Sequence, residues 1–99
     1  MNRPRLSDRV QIPDDVIFRD LQGEAIILNL TTGTYFGLNE VGTRAWTEFA
    51  AAVTLDTVVE TLTREYDVDR PTAERDVVEL VEALAAKGLI VVGADGGGA

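Results

Sequence analysis

Carboxylates are the most plentiful reactive groups in this chain: 17 Asp and Glu stand against 9 Lys and Arg, with no His and no Cys. Paired carboxylates can act as acid and base or hold a hard cation, so their placement is the first question. Glu74, Glu79 and Glu82 are spaced as on the solvent side of a helix, where any soluble helix displays charge. No cluster has the spacing of a metal loop. The commonest general base is missing along with His, and the lack of Cys excludes a thiolate site and a disulfide framework. "GADGGGA" at the end precedes no helix, so it is not a phosphate-cradling loop, and there is no nucleophile elbow. These residues predict no enzyme, no metal and no cofactor.

Charge narrows the partners. The formal net charge is −8. Nucleic-acid binding draws most of its affinity from cations that neutralise phosphates, and anionic membrane surfaces select the same sign, so both are disfavoured. No apolar run approaches the roughly 20 residues that span a bilayer, and "MNRPRLSDRVQIPDD" lacks the apolar centre of a secretory signal. A cytoplasmic address is expected by elimination. The hydrophobic fraction of 45% and the length of 99 residues fit one compact domain. Protein and peptide partners remain.

The elements that position these groups follow from the apolar spacing. Residues 1–13, with Arg3, Arg5 and Arg9 among polar residues and prolines, read as a flexible lead-in. "VIFRDLQGEAIILNLTTGTYFGL" reads as three short strands: Val16–Leu21, then Glu24–Leu30 with Ile26, Leu28 and Leu30 on one face, then Thr34–Leu38. Gln22-Gly23 and Thr31-Thr32-Gly33 supply the turns. Asn39, Thr54 and Asp69 are N-caps of three helices, with Pro71 in the first turn of the third. Val41, Ala45, Trp46 and Phe49 share a face of the first helix, whose Gly42 implies close packing. Leu55, Val58, Val59, Leu62 and Tyr66 mark the second. Ala73, Val77, Leu80, Val81 and Leu84 mark the third, which Lys87 and Gly88 end. "LIVV" (89–92) reads as a last strand or an apolar cover, and 93–99 as a disordered tail. The expected fold is α+β, a winged helix-turn-helix-like domain over 14–92 in which a three-stranded antiparallel sheet precedes three helices.

That order invites a DNA-binding reading, a winged-helix regulator. A recognition helix needs basic or amide side chains, and the third helix offers Arg70 and Arg75 against Glu74, Asp76, Glu79 and Glu82. The sheet is more informative. Asp14, Asp15, Arg19 and Asp20 guard its first edge, whereas "TYFGL" (34–38) has two aromatics and no charge or proline. Such an edge is covered by Leu89–Val92, paired with a dimer partner, or kept for a guest strand. On the third helix, Val78 projects about a quarter-turn from the buried stripe, with Arg75, Glu82 and Ala85 on the same flank.

"LNLTTGTYFGLNEVGTRAW", followed by "TLDTVVETLTREYDVDRPTAERDVVELVEALAAKGLI", resembles the PqqD-like family over roughly Asp15 to Val92. The resemblance rests on the Thr32-Gly33 turn, the Tyr35-Phe36-Gly37-Leu38-Asn39-Glu40 junction, Trp46, and the spacing of Asp76, Leu84 and Lys87-Gly88-Leu89. It implies a non-catalytic peptide chaperone, the recognition element of a pathway that modifies ribosomally made peptides. The precursor's leader peptide then adds as a strand beside Thr34, Tyr35, Phe36, Gly37 and Leu38 and lies against the third helix. Arg75, Val78, Glu79 and Glu82 are the helix residues expected to meet its side chains. The bound leader is presented to a separate enzyme, a radical S-adenosylmethionine enzyme or a leader peptidase. Glu79 and Glu82 favour leaders that carry a Lys or Arg nearby.

Overall fold

The structure, a computed structural model, describes residues 3–22 and 24–93. Its elements run β1 (Arg9–Gln11), β2 (Val16–Leu21), β3 (Glu24–Asn29), β4 (Tyr35–Leu38), α1 (Glu40–Ala50), α2 (Leu55–Glu65), α3 (Arg70–Ala86) and β5 (Val91–Gly93). Strands β2, β3 and β4 pair antiparallel in chain order, and β1 pairs with β5 in a separate two-stranded ribbon. The α+β class and the three strands followed by three helices stand as expected.

Each helix starts where its cap dictates. Asn39 Oδ1 accepts the Gly42 amide at 2.8 Å, Thr54 Oγ1 accepts the Thr57 amide at 3.3 Å, and Asp69 Oδ1 accepts the Thr72 amide at 3.0 Å. The bonds from Thr72, side chain first and then backbone, hold the Asp69 carboxyl below its usual range. At the far end of α3, Gly88 takes a φ of +73°, and the Leu89 amide returns to the Leu84 carbonyl at 3.0 Å.

Ile27 from the sheet, Phe49 from α1, Leu55 and Val58 from α2, and Val77, Val81 and Leu84 from α3 are buried together. Each such side chain contributes about 1.5–3 kcal/mol. Trp46 stacks on Phe18 of β2 with centroids 6.3 Å apart and meets Phe49 edge-on at 6.4 Å, which anchors α1 on the sheet. A Cβ at Gly42 would sit 3.2 Å from Leu38 Cδ2, so that glycine lets α1 approach β4 closely, as its place in the helix implied. Arg44 ties α1 to α2. Its Nε and Nη2 donate to Glu65 at 2.8 and 3.0 Å, while Nη1 reaches Glu48, whose other oxygen accepts from Thr61. The Arg44 bond holds the Glu65 carboxyl below its usual range.

One expectation changes. The segment read as a flexible lead-in contains β1: Val10 is 1% exposed, the Leu55 amide donates to the Asp8 carbonyl, and the Asp56 amide donates to Leu6. One buried valine among arginines gives no period to detect, and the pairing that fixes it is 82 residues away, Val10 lying opposite Val92. Ile26, Leu28 and Leu30 share a face, as expected, and it is the outer one. Ala25, Ile27 and Asn29 face the helices. The Leu89–Val92 stretch is both strand and cover, since Leu89 and Ile90 are buried and Val91 opens β5. It pairs with β1 and leaves β4 at the rim of the main sheet. Gly23 and the tail beyond Gly93 lie outside the described residues.

Candidate functional site

Among the described residues, strand β4 has a neighbour, β3, on one side only. The Asn29 amide donates to the Thr34 carbonyl at 2.8 Å, which marks that opposed pair as hydrogen-bonded. Antiparallel pairs alternate, so Phe36 and Leu38 direct their peptide groups to β3, while Tyr35 and Gly37 direct theirs outward. Among the described residues no hydrogen bond reaches those outward groups. Asn29 braces the turn before them by accepting the Thr31 and Thr32 amides at 2.9 and 3.1 Å.

Side chains of β4 alternate as its pairing requires. Phe36 and Leu38 share the inner face with Ile27 and Ala25, and Tyr35 and Gly37 share the outer face with Leu28 and Ile26. On the inner side, β4, α1 and α3 enclose an open groove of about 670 Å³. Phe36, Leu38, Val41, Ala45, Leu62 and Leu80 give it an apolar lining, and Asp67, Asp76 and Glu79 stand along it. An extended peptide laid on the edge strand therefore meets a ladder of backbone partners, an apolar trough and a negative rim. That combination suits an extended chain of residues.

The sequence-derived residues divide. Phe36, Gly37, Leu38 and Glu79 line the groove, and Tyr35 adjoins them on the edge with 68% of its surface exposed. Thr34 belongs to the turn, where its carbonyl is taken by Asn29 and its hydroxyl lies 3.0 Å from that of Thr32. Arg75, Val78 and Glu82 do not line the groove. Arg75 pairs with Asp76 at 3.6 Å, and Glu82 accepts from Arg3 at 3.1 Å. Besides Ala73 and Val77 of the buried stripe, the α3 residues that face it are Asp76, Glu79, Leu80 and Ala83, on the opposite flank of that stripe. Both flanks sit near a quarter-turn from that stripe, and Leu80 reads from spacing alone as core. Leu62 and Tyr66 were likewise legible only as packing, and Val68 was not singled out.

Among the described residues there is no cluster of His, Cys, Asp and Glu arranged to hold a metal ion, and no helix is long and apolar enough to cross a membrane.

Comparison with known proteins places this geometry. No curated protein matches. The structure of TbiB1 in complex with the TbiA(beta) leader peptide is similar with a TM-score of 0.76 and 41% identity, over 81% of this chain and 93% of that one. A lasso peptide synthetase B1 complexed with the leader peptide also has a TM-score of 0.76, at 24% identity, over 84% and 98% of the two chains; this second likeness speaks to the fold. The family profile of PqqD, described as coenzyme PQQ synthesis protein D, matches residues 24–90, from the first residue of β3 to the end of the buried Leu89-Ile90 pair. The strand, the groove and the helices that frame it thus lie within the matched span, and the chain belongs to the PqqD family.

Proposed function

We propose that this protein is a non-catalytic recognition element that takes the leader segment of a ribosomally synthesised precursor peptide as an added strand on β4 and hands it to a separate tailoring enzyme. The observation that carries this reading is the outward row of peptide groups at Tyr35 and Gly37 directly beside the apolar groove. The 41% identity to a protein solved with a leader peptide supports the same reading.

The backbone ladder gives affinity that is nearly independent of sequence, and alternate side chains entering the groove give selectivity. Ordering a flexible leader costs about 2–5 kcal/mol, so binding is moderate and reversible, as transfer to an enzyme requires. Asp76 and Glu79 favour a Lys or Arg on the guest. Glu82, engaged by Arg3, contributes less to that preference than its charge alone suggests. The enzyme served is a leader peptidase or a radical S-adenosylmethionine enzyme, acting on a leader held in extended form.

Amide NMR titration with the leader encoded beside this protein's gene, and with the TbiA(beta) leader peptide, tests the proposal. Shifts are expected at Tyr35–Leu38 and on the Asp76, Leu80 and Ala83 side of α3. Shifts confined to β1, β5 and the Arg75–Glu82 flank would place binding elsewhere and overturn it.

A further inference from the structure

Gly37 lacks both of the usual structural reasons for a glycine. Gly33 has a φ of +76°, which favours glycine, and Gly42 has Leu38 pressed against it. Gly37 has no positive φ, and a Cβ built on it meets nothing within 4 Å. A glycine inside a strand loses more conformational freedom on folding than any other residue and gives no side chain to pack. The protomer accepts that loss at the middle of its exposed edge strand, where it leaves room above the backbone.

The register defines that room. Gly37 lies opposite Ile26, on the outer face of the sheet, and Tyr35 stands two residues before it on the same face. Ile26 is 42% exposed. The space therefore lies over the Gly37 backbone, on the face that Gly37 shares with Ile26 across the strand pair and with Tyr35 along the strand. It opens toward the edge where Gly37 directs its peptide group. A strand added there places one residue alongside Gly37 with its side chain on this outer face, not in the groove. Neighbouring strands are about 4.8 Å apart, so the guest strand is roughly 9.6 Å from β3. A short side chain does not reach Ile26 across that distance, whereas a long flat one can recline over the glycine and pack on it.

We propose that Gly37, Ile26 and Tyr35 form a second side-chain subsite on the outer face, which selects an aromatic residue of the guest strand at the position alongside Gly37. The inference rests on the strand-addition reading and adds to it: groove and outer face read alternate residues of one peptide, so selectivity comes from both sides of the guest. A β-branched residue at 37 fills the space while favouring the strand, and so separates this subsite from the fold.

The test selects a displayed library of randomised linear peptides, long enough to pair along β4, against the full chain, its Gly37→Val variant and its Ile26→Ser variant. Thermal unfolding establishes that each variant is folded. On the wild-type protein, one aligned position of the selected peptides is expected to carry Phe, Tyr or Trp in excess, with roughly threefold to fivefold tighter binding than its Ala version, the scale of a cross-strand aromatic pair. Both variants are expected to lose that preference, and Ile26→Ser, which leaves the β4 edge untouched, is expected to keep the preferences at the groove-facing positions on either side. An aromatic preference that survives in whichever variant folds, or no aromatic position at all among peptides that bind, overturns the subsite and leaves strand addition standing. Failure of the wild-type protein to select any peptide overturns strand addition itself.

Discussion

The side-chain amide of Asn29 donates to the Gly88 carbonyl at 2.9 Å, joining the strand beside the binding edge to the end of the helix that forms the groove's other wall. The same residue's Oδ1 holds the Thr31 and Thr32 amides of the turn that leads into β4. Replacing Asn29 with Ala leaves these part-buried backbone groups without partners, at about 1–3 kcal/mol. Urea unfolding is expected to show that loss. Asn29→Asp keeps the acceptor for the turn amides but sets a carboxylate oxygen against the Gly88 carbonyl in a buried position, so it is also expected to destabilise the domain.

Proline scanning of β4 separates binding from folding. Phe36 directs its N–H to β3, so Phe36→Pro breaks the internal ladder and removes a half-buried ring, and the domain should be strongly destabilised. Gly37 directs its N–H outward, where an edge strand tolerates proline. Gly37→Pro is expected to melt close to the wild-type protein and to bind leader at least about tenfold more weakly by calorimetry. Equal leader affinity in a folded Gly37→Pro protein would exclude guest pairing at that peptide group.

The Arg44 clamp sets part of the acid limit. Glu65 has its carboxyl held below its ordinary value of 4.5, chiefly by the Arg44 hydrogen bond, so the folded state binds its proton less readily than the unfolded chain. Stability from that bond is fully present above about pH 4.5 and is lost as pH falls through the lowered folded-state value. Arg44→Gln is therefore expected to be less stable than wild type near neutrality and to converge with it in acid. Parallel urea titrations across the carboxylate range measure the convergence, and a gap that stays constant would remove Glu65 from the account.

Val10 tests the N-terminal ribbon. It is buried opposite Val92, so Val10→Ala removes two buried methyl groups and leaves a small cavity, a loss of about 2 kcal/mol. A flexible lead-in would show no change in denaturant midpoint.

The parts of the fold that were legible in the chain are those written locally. Asn39, Thr54 and Asp69 cap the helices they precede, and Lys87-Gly88 ends the last one, because caps act within a single turn. The uncharged β4 edge was legible too, since edge protection shows as charge or its absence. What was hidden depends on distant partners. The apolar stripe of Ile26, Leu28 and Leu30 mimics a core face, yet the smaller Ala25, Ile27 and Asn29 face the helices; alternation gives two faces without saying which is covered. The flank of α3 was ambiguous in the same way. Val78 and Leu80 lie on opposite sides of one stripe, and only the closeness of β4 to one side shows which of them meets the groove. The direction of each peptide group along β4 required the register, which neither composition nor period supplies.

The ribbon of β1 and β5 has a consequence for how the protein is made. Arg9 lies opposite Gly93, so β1, which precedes every other described strand, bonds to the start of α2 early but waits for β5 to complete its ribbon. Until then Val10 has no cross-strand neighbour, and the buried Leu89 and Ile90 are not yet in place. Completion of the domain is thereby deferred until residues 89–93 have been made, and a chain stalled before residue 90 would be a poor receptor.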